Sequence, residues 1–181
     1  MRVIKLGGSL LETGKMLACL NHILNIEEKT VVVCGGGDFA NQIRVVQKKW
    51  QFDDVAAHEM AILAMKQTAI MLQNLQPKFI HESTVSNLTN HQFSIWSPNM
   101  TELNTAKIPP SWEITSDSLA AWLATKLDAK KLIIVKSCNV DLSLNLKELT
   151  IKGIVDEAFS NFTNNAKFHL NITSADIFLN S

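Results

Sequence analysis

The chain has 181 residues, 46% of them hydrophobic and 19% charged, a composition typical of globular proteins and not of disordered or fibrous ones. Its 17 basic and 17 acidic side chains cancel, so no overall field favours nucleic acid or an anionic membrane as a partner. Three widely spaced cysteines without a C-x-x-C pair favour a reducing cytoplasm, and neither an export signal nor an apolar run of membrane-spanning length is predicted.

The first half of the chain predicts strands that alternate with helices. Continuous β-branched and apolar runs predict buried strands, and apolar residues at intervals of three or four predict helices. Strands are expected at 3–6, 30–34, 78–80 and 93–96. Helices are expected over 16–24, from the second glycine cluster or Asp38 onward, and over 54–75, where Asp53 or Asp54 would begin the helix.

The second half begins with a proline-rich segment, 97–111, which predicts a loop over the surface or the site. A helix is expected from Ser116 or Asp117, a strand over 132–135, a helix over 154–162 and a short apolar stretch at 168–172. Apolar strands separated by helices indicate a mainly parallel sheet covered on both faces. The prediction is a single α/β domain over 1–181, a three-layer α/β/α sandwich with ligands at the carboxyl ends of its strands.

Five of the seven glycines lie in two loops, each placed between a predicted strand and a predicted helix. They are Gly7 and Gly8 in "VIKLGGSLL", and Gly35, Gly36 and Gly37 in "VVVCGGGDFA". Such loops can bring backbone N–H groups close to an anion, although a tight strand-to-helix turn is the alternative for each loop alone. Two dense loops at matching positions favour phosphate binding. Neither the P-loop pattern nor G-x-G-x-x-G is present, so a P-loop NTPase or a Rossmann dehydrogenase is not supported.

Three charged residues are expected near these loops. Lys5 lies in an apolar strand two residues before the first glycine, where its ammonium group needs an anionic partner. Lys136 ends the apolar run "LIIV" at the same edge of the sheet. Asp117 begins a helix, where a capping carboxylate is the alternative interpretation. The three could converge on a phosphoryl group in transfer, with both lysines neutralising charge and the carboxylate orienting them.

The remaining candidates carry weaker signals. His58 and Glu59 lie in a helix without an H-E-x-x-H pattern, so no metal-ligand set is predicted. Cys34 has apolar neighbours and is interpreted as a buried thiol. Trp96 and Trp112 flank the proline-rich segment. They either line the site that would bind the molecule receiving the phosphoryl group, the acceptor site, or pack the loop.

The two glycine motifs, together with "ITSDSLAAWLATKLDAKKLIIVKS", resemble the amino acid kinase superfamily, from Val3 to about Asp141. The resemblance implies ATP with Mg²⁺ as phosphoryl donor. It implies an acceptor-binding part at about 1–112 and an abbreviated nucleotide-binding part at about 113–181. The implied ATP contacts are Lys5, Gly7, Gly8, Ser9, Lys136 and Ser137. The implied acceptor contacts are Gly35, Gly36, Gly37, His58 and Ser116, with Asp117 organising the lysines.

Within the superfamily, the short length and the segments "DDVAAHEMAILAMKQ", "IPPSWEITSDSLAAWLA" and "GIVDEAF" are similar to the small kinases of methanofuran biosynthesis. The resemblance implies a cytoplasmic homo-oligomer that phosphorylates a phosphate or carboxylate oxygen of a small molecule, with neither nucleic acid nor membrane as partner. Larger members carry a later G-G-M-x-x-K-type segment that has no counterpart here. A kinase with acetylglutamate, carbamate or UMP as acceptor, a non-catalytic nucleotide or metabolite sensor, and a storage or assembly protein are the alternatives.

Overall fold

The computed structural model describes residues 1–181 and has a six-stranded, all-parallel sheet in the order β3-β4-β2-β1-β5-β6. The strands are β1 (Arg2–Leu6), β2 (Thr30–Cys34), β3 (Ile80–Glu82), β4 (Phe93–Trp96), β5 (Lys131–Lys136) and β6 (His169–Ser174). The helices are α1 (Met16–Ile23), α2 (Gly37–Trp50), α3 (Asp54–Leu75), α4 (Met100–Thr105), α5 (Ser116–Lys126), α6 (Leu146–Ile151), α7 (Phe159–Thr163) and α8 (Ala175–Leu179), with 3₁₀ turns at Gly8–Leu10 and Val85–Asn90.

Helices cover both faces of the sheet because the central strands are apolar on both faces. In β2, Val31 and Val33 belong to the core layer beneath α5 and α7. Val32 and Cys34, which point to the opposite face, pack with the residues of α1 and α8. A strand buried on both sides has no polar position for solvent, which explains the uninterrupted β-branched sequence. The predicted three-layer α/β/α fold is confirmed.

Two of the long helices begin as the sequence predicts. Helix α2 begins at Gly37, which adopts φ of +54°, a left-handed conformation that favours glycine. Helix α3 is capped by Asp53, whose carboxylate accepts a hydrogen bond of 2.8 Å from the backbone N–H of Ala56.

No helix in the chain combines the length and the apolar character that crossing a membrane requires.

Three predicted elements differ in the structure. The segment 97–111, expected to be a loop, contains α4, because Asn99 caps a single helical stretch whose Leu103 is buried. Strand β3 begins two residues later than predicted, because Phe79 is still tied to the turn that ends α3 by a hydrogen bond to the Gln76 carbonyl. Of the helix predicted over 154–162 only α7 forms, since the residues before it turn toward α5.

The register of the central strands assembles one functional edge. Leu6, the last residue of β1, pairs with Cys34 on one side and with Val135 on the other. The residues that follow these three positions therefore meet at the carboxyl end of the sheet. This brings together both glycine loops and the lysine that ends β5.

Candidate active site

The two glycine loops contact each other directly. A Cβ atom on Gly8 would lie 2.6 Å from the backbone nitrogen of Gly37, far inside van der Waals contact. This approach of backbone to backbone excludes a side chain at Gly8, a packing requirement that the sequence analysis did not predict. The amide of Gly7 donates to the carbonyl of Val135 at 3.0 Å and so continues the sheet. Amide donors for a ligand therefore begin at Gly8.

Asp117 lies between the two lysines, at the carboxyl edge of the sheet. Its Oδ1 is 2.7 Å from Lys5 Nζ, and its Oδ2 accepts a hydrogen bond of 2.6 Å from Lys136 Nζ. Lys5 and Asp117 are buried, and Lys136 is partly accessible. Helix α5 positions the carboxylate and strands β1 and β5 position the ammonium groups, so the sheet fixes their separation.

The charges of this cluster shift each other's protonation. Burial alone would raise the pKa of Asp117, but Lys5 and Lys136 outweigh it and hold that pKa below its ordinary value. Burial lowers the pKa of Lys136, reinforced by the charge of Lys5 and opposed by that of Asp117. At neutral pH the Asp117 carboxylate is ionised, and it holds the two lysine side chains at the edge where the glycine loops meet.

Two predicted ATP ligands also meet at this edge. The Oγ atoms of Ser9 and Ser137 are 2.7 Å apart, although 128 positions separate them in sequence. Both hydroxyls are exposed. Each could therefore exchange its hydrogen bond to the other serine for one donated to a phosphate oxygen. A cavity of about 280 Å³, lined mostly by apolar side chains, lies between β6, α6 and the segment that joins β5 to α6. Its lining includes Val140, Leu142, Leu144, Leu146, Leu149 and Ile172.

A cleft of about 250 Å³ adjoins the charged cluster on the side of α2 and α3. It is lined by the predicted acceptor residues Gly35, Gly36, Gly37, His58 and Ser116, together with Gly8 and Ser9. Trp112 also lines the cleft. Trp96 does not: it is fully buried and stacks on Trp122 with ring centroids 5.8 Å apart. The interpretation of Trp96 as an acceptor-site residue is wrong.

His58 is the buried polar group of this cleft. It is 5% exposed, and its Nε2 atom has no hydrogen-bond partner in the protein. Burial lowers the pKa of His58, with the backbone of Ser111 opposing the shift, so the ring is neutral at pH 7. A buried nitrogen without a partner carries a desolvation cost that a ligand could relieve.

The sequence analysis named Trp112 but not Arg44 and Gln47, which contact it at the outer wall of the cleft. The guanidinium of Arg44 lies 4.0 Å above the ring of Trp112, and Trp112 Nε1 donates to Gln47 Oε1 at 2.7 Å. Arg44 follows Gly37 by seven residues, two helical turns, and therefore shares the helix face of the glycine loop. This seven-residue spacing is the sequence signal from which Arg44 could have been predicted to lie near the glycine loop.

Asp156 was quoted in the sequence only within "GIVDEAF", yet it contacts the start of α5. Its Oδ2 accepts hydrogen bonds of 2.9 Å from the backbone N–H groups of Thr115 and Ser118, and its Oδ1 accepts one from the Thr115 hydroxyl. Burial and the charge of Asp117 raise the pKa of Asp156, and the Thr115 hydrogen bond opposes the shift.

Comparison with known proteins identifies the family. The family model described as "Amino acid kinase family" matches residues 1–140, more than half of the chain. The chain belongs to the amino acid kinase family. The resemblance drawn from the two glycine loops and the Asp117 segment is thus confirmed.

This family member is similar to [5-(aminomethyl)furan-3-yl]methyl phosphate kinase of Methanocaldococcus jannaschii, with 29% identity over 139 residues. The alignment covers 74% of the chain but only 64% of that relative's length. Among solved structures, uridylate kinase of Archaeoglobus fulgidus has a TM-score of 0.77 at 18% identity, covering 98% of this chain and 93% of that one. Aspartate kinase of Synechocystis has a TM-score of 0.70 at 13% identity, covering 96% and 37% respectively. At these identities the structural likeness shows the fold.

Proposed function

We propose that this protein is a small-molecule kinase that transfers the γ-phosphoryl group of Mg²⁺-bound ATP to a phosphate or carboxylate oxygen. The observation that carries the proposal is the position of Asp117 between Lys5 and Lys136, at the edge where the two glycine loops meet. Family membership supports phosphoryl transfer as the reaction. Residues at about 1–112 would hold the acceptor and those at about 113–181 the nucleotide.

In this proposal Mg²⁺-ATP supplies the phosphoryl group, and the protein supplies position and charge. Lys5 and Lys136 would neutralise the charge that develops on the phosphoryl oxygens, and Asp117 would hold both ammonium groups toward them. Ser9 and Ser137 would donate to phosphate oxygens from the same edge. An ionised acceptor oxygen needs no general base. Cys34 is unsuited to nucleophilic attack, since burial raises the pKa of its thiol to about 12.

The acceptor that we propose is an aminomethylfuran-methyl phosphate, as in methanofuran biosynthesis. The name of the curated relative supports this choice, since it specifies that compound as substrate. The chemistry of the cleft agrees with it: Arg44 and the amides at the start of α2 suit a phosphate, Trp112 suits a flat ring, and Glu12 at the mouth suits an ammonium group.

The direct test is an ADP-release assay with Mg²⁺-ATP and four acceptors: the furan phosphate, acetylglutamate, carbamate and UMP. We expect turnover on the furan phosphate above the other three. Turnover on another of the four would assign a different activity within the family. ATP binding without ADP release on any of them would support the sensor, which the absence of the later lysine segment favours.

Replacing His58 by Phe should raise the KM for the acceptor about tenfold while the KM for ATP stays unchanged. The variant keeps an aromatic ring in the cleft but loses the unpartnered Nε2, the atom that we expect to contact the acceptor, and one hydrogen bond to a ligand contributes roughly 1–1.5 kcal/mol. Steady-state kinetics with each substrate varied in turn would measure both constants.

The matched control for this prediction is His169→Phe, because His169 is an exposed histidine at the start of β6. Its kinetic constants should equal those of the wild type. An equal rise of both KM values in His58→Phe would place His58 outside the acceptor site.

A reducing compartment, the cytoplasm, agrees with the state of the cysteines, and we propose it as the location. Cys19, Cys34 and Cys138 are all free thiols. The first two are buried, and burial raises the pKa of Cys19 to about 11, so neither is poised for disulfide exchange.

We further propose that the protein is a homodimer through the outer face of α3. Leu63 and Ile70 are 56% and 51% exposed on this helix. Glu59 and Lys66 flank Leu63 along the same face, four residues before it and three after it. A second copy that crosses in the antiparallel sense at Leu63 would place each Glu59 opposite the partner's Lys66, which is the self-complementarity that a two-fold interface needs.

Replacing Leu63 by Glu should convert this dimer to a monomer of 20.1 kDa. A carboxylate at the centre of the interface would face its own copy across the two-fold axis without a partner charge. Light scattering behind size-exclusion chromatography measures the mass. Ile151→Glu, at a residue 76% exposed on α6, is the control and should leave the dimer intact. A wild-type monomer would contradict the proposal.

A further inference from the structure

The first turn of α5 is capped by a residue that is distant in sequence, Asp156. Thr115 precedes the helix, but its side chain makes no capping bond to the helix amides. Asp156, 41 residues further along the chain, supplies the acceptor instead, through its hydrogen bonds to the Thr115 and Ser118 amides and to the Thr115 hydroxyl. The amide of Ala158 adds a bond of 3.1 Å to the Glu113 carbonyl. The linker between α6 and α7 is therefore fastened to the first turn of α5.

This first turn carries the carboxylate of the active site. Asp117 is the second residue of α5 and lies between the two amides that Asp156 binds. Any rotation or fraying of the turn would move Asp117 away from Lys5 and Lys136, because both ion pairs are shorter than 3 Å. The hydrogen bonds of Asp156 thus fix the position from which Asp117 holds the lysines.

Asp156 also contributes charge. Its charge interacts with charged groups on four elements: Lys5 on β1, Arg44 on α2, Asp117 on α5 and Lys136 on β5. Lys5 and Lys136 bring two positive charges together. The single negative charge of Asp117 compensates only one of these two. The negative charge of Asp156 raises the pKa of Lys136, against the lowering by burial and by Lys5.

We propose that Asp156 is a positioning residue of the catalytic centre: it caps α5 so that Asp117 stays between the two lysines. The inference rests on the proposed kinase function. Asp156 itself does not line the acceptor cleft, and it acts through Asp117 and Lys136.

Two substitutions separate geometry from charge. Asp156→Asn can keep all three hydrogen bonds, since its amide oxygen can accept from both backbone N–H groups while its NH₂ donates to the Thr115 hydroxyl. It removes only the charge. Asp156→Ala removes the bonds and the charge together. Glu157→Gln is the matched control, because Glu157 is the exposed neighbour and its loss of charge leaves α5 untouched.

The expected results differ between the two variants. Asp156→Asn should keep kcat within about threefold of the wild type, because the three hydrogen bonds that fix the first turn of α5 can remain. Asp156→Ala should lower kcat at least tenfold at every pH, with the KM for ATP unchanged, at temperatures where circular dichroism shows it folded. Glu157→Gln should match the wild type.

A second readout does not depend on activity. Acetic anhydride acylates unprotonated amines, so mass spectrometry should find Lys136 labelled several-fold faster in Asp156→Ala, where Asp117 no longer holds its ammonium group, than in Asp156→Asn or the wild type at the same pH. If Lys136 is labelled faster but the protein shows no turnover, the proposed kinase function is refuted, whereas the positioning role of Asp156 is supported. Equal labelling of Lys136 in all three proteins, or wild-type kcat in folded Asp156→Ala, would overturn the inference.

Discussion

Replacing Lys5 by Met should lower kcat by roughly 10²- to 10⁴-fold, the range found when a single group that stabilises transition-state charge is removed. Lys5 is one of two ammonium groups at the edge where both glycine loops meet, and methionine keeps its length without its charge. An ADP-release assay at saturating substrates measures kcat. The KM for ATP should change less than kcat, because the charge on the transferring oxygens develops in the transition state.

The fold of this variant should survive. Lys5 is buried in the centre of the sheet, where an apolar side chain of similar volume packs without a cavity. Asp117 would keep its hydrogen bond to Lys136 and would not become an unpaired buried charge. The loss of turnover would therefore report on chemistry and not on unfolding, which circular dichroism can verify.

The matched control is Lys15→Met. Lys15 also forms an ion pair of 2.6 Å, with Asp176, but the two side chains are 33% and 61% exposed to solvent. An exposed pair contributes little to stability, and this one lies outside the charged cluster at the sheet edge. Its removal should leave kcat unchanged. Wild-type turnover in Lys5→Met would contradict the assignment of the active site.

The sequence alone predicts those parts of the site that lie at the ends of strands. In a parallel sheet, the residues that follow adjacent strands must lie together, so the order of strands and loops alone places Lys5, Lys136 and both glycine loops at one edge. Asp117 could be added because it begins a helix that leads into β5. The structure brings Asp117 within 2.7 Å of both lysines.

Other parts depend on contacts that no local pattern encodes. Asp156 meets Thr115 across 41 positions, and Arg44 meets Trp112 across 68 positions in sequence. Both contacts arise only when segments that are distant in sequence pack together. Helix α4 is too short to show a period, so prolines on both sides of it dominated the prediction of a loop.

One missed element did carry a local signal. Asn145 and Glu148 form a capping box at the start of α6: the Asn145 side chain accepts from the Glu148 amide, and the Glu148 carboxylate accepts from the Asn145 amide. The spacing of an Asn and a Glu three residues later is visible in "NLKE". The first turn of α6 was thus predictable, although the apolar period beyond it was too brief to show.

Replacing Asp117 by Asn should abolish turnover and, unlike the change at Lys5, also destabilise the fold. The neutral amide cannot compensate Lys5 and Lys136, which would then repel each other at the sheet edge. Breaking a buried ion pair by removing one partner costs about 3 to 5 kcal/mol. The ADP-release assay measures the first effect, and urea unfolding at several pH values measures the second.

The difference in unfolding free energy between wild type and Asp117→Asn should be largest near neutral pH and shrink on both sides. Below pH 3.8, the ordinary pKa of an aspartate, the wild type loses the stability that ionised Asp117 contributes, because its folded-state pKa is lowered. Toward pH 10.5 the variant gains stability, since its unpaired Lys136 sheds a proton more readily folded than unfolded. Asp128→Asn, at the exposed end of α5 where φ of +47° suits Asn, should show neither effect. A difference that stays constant from well below pH 3.8 up to pH 10.5 would mean that the lost stability came from packing, and that Asp117 does not hold the charges of the two lysines.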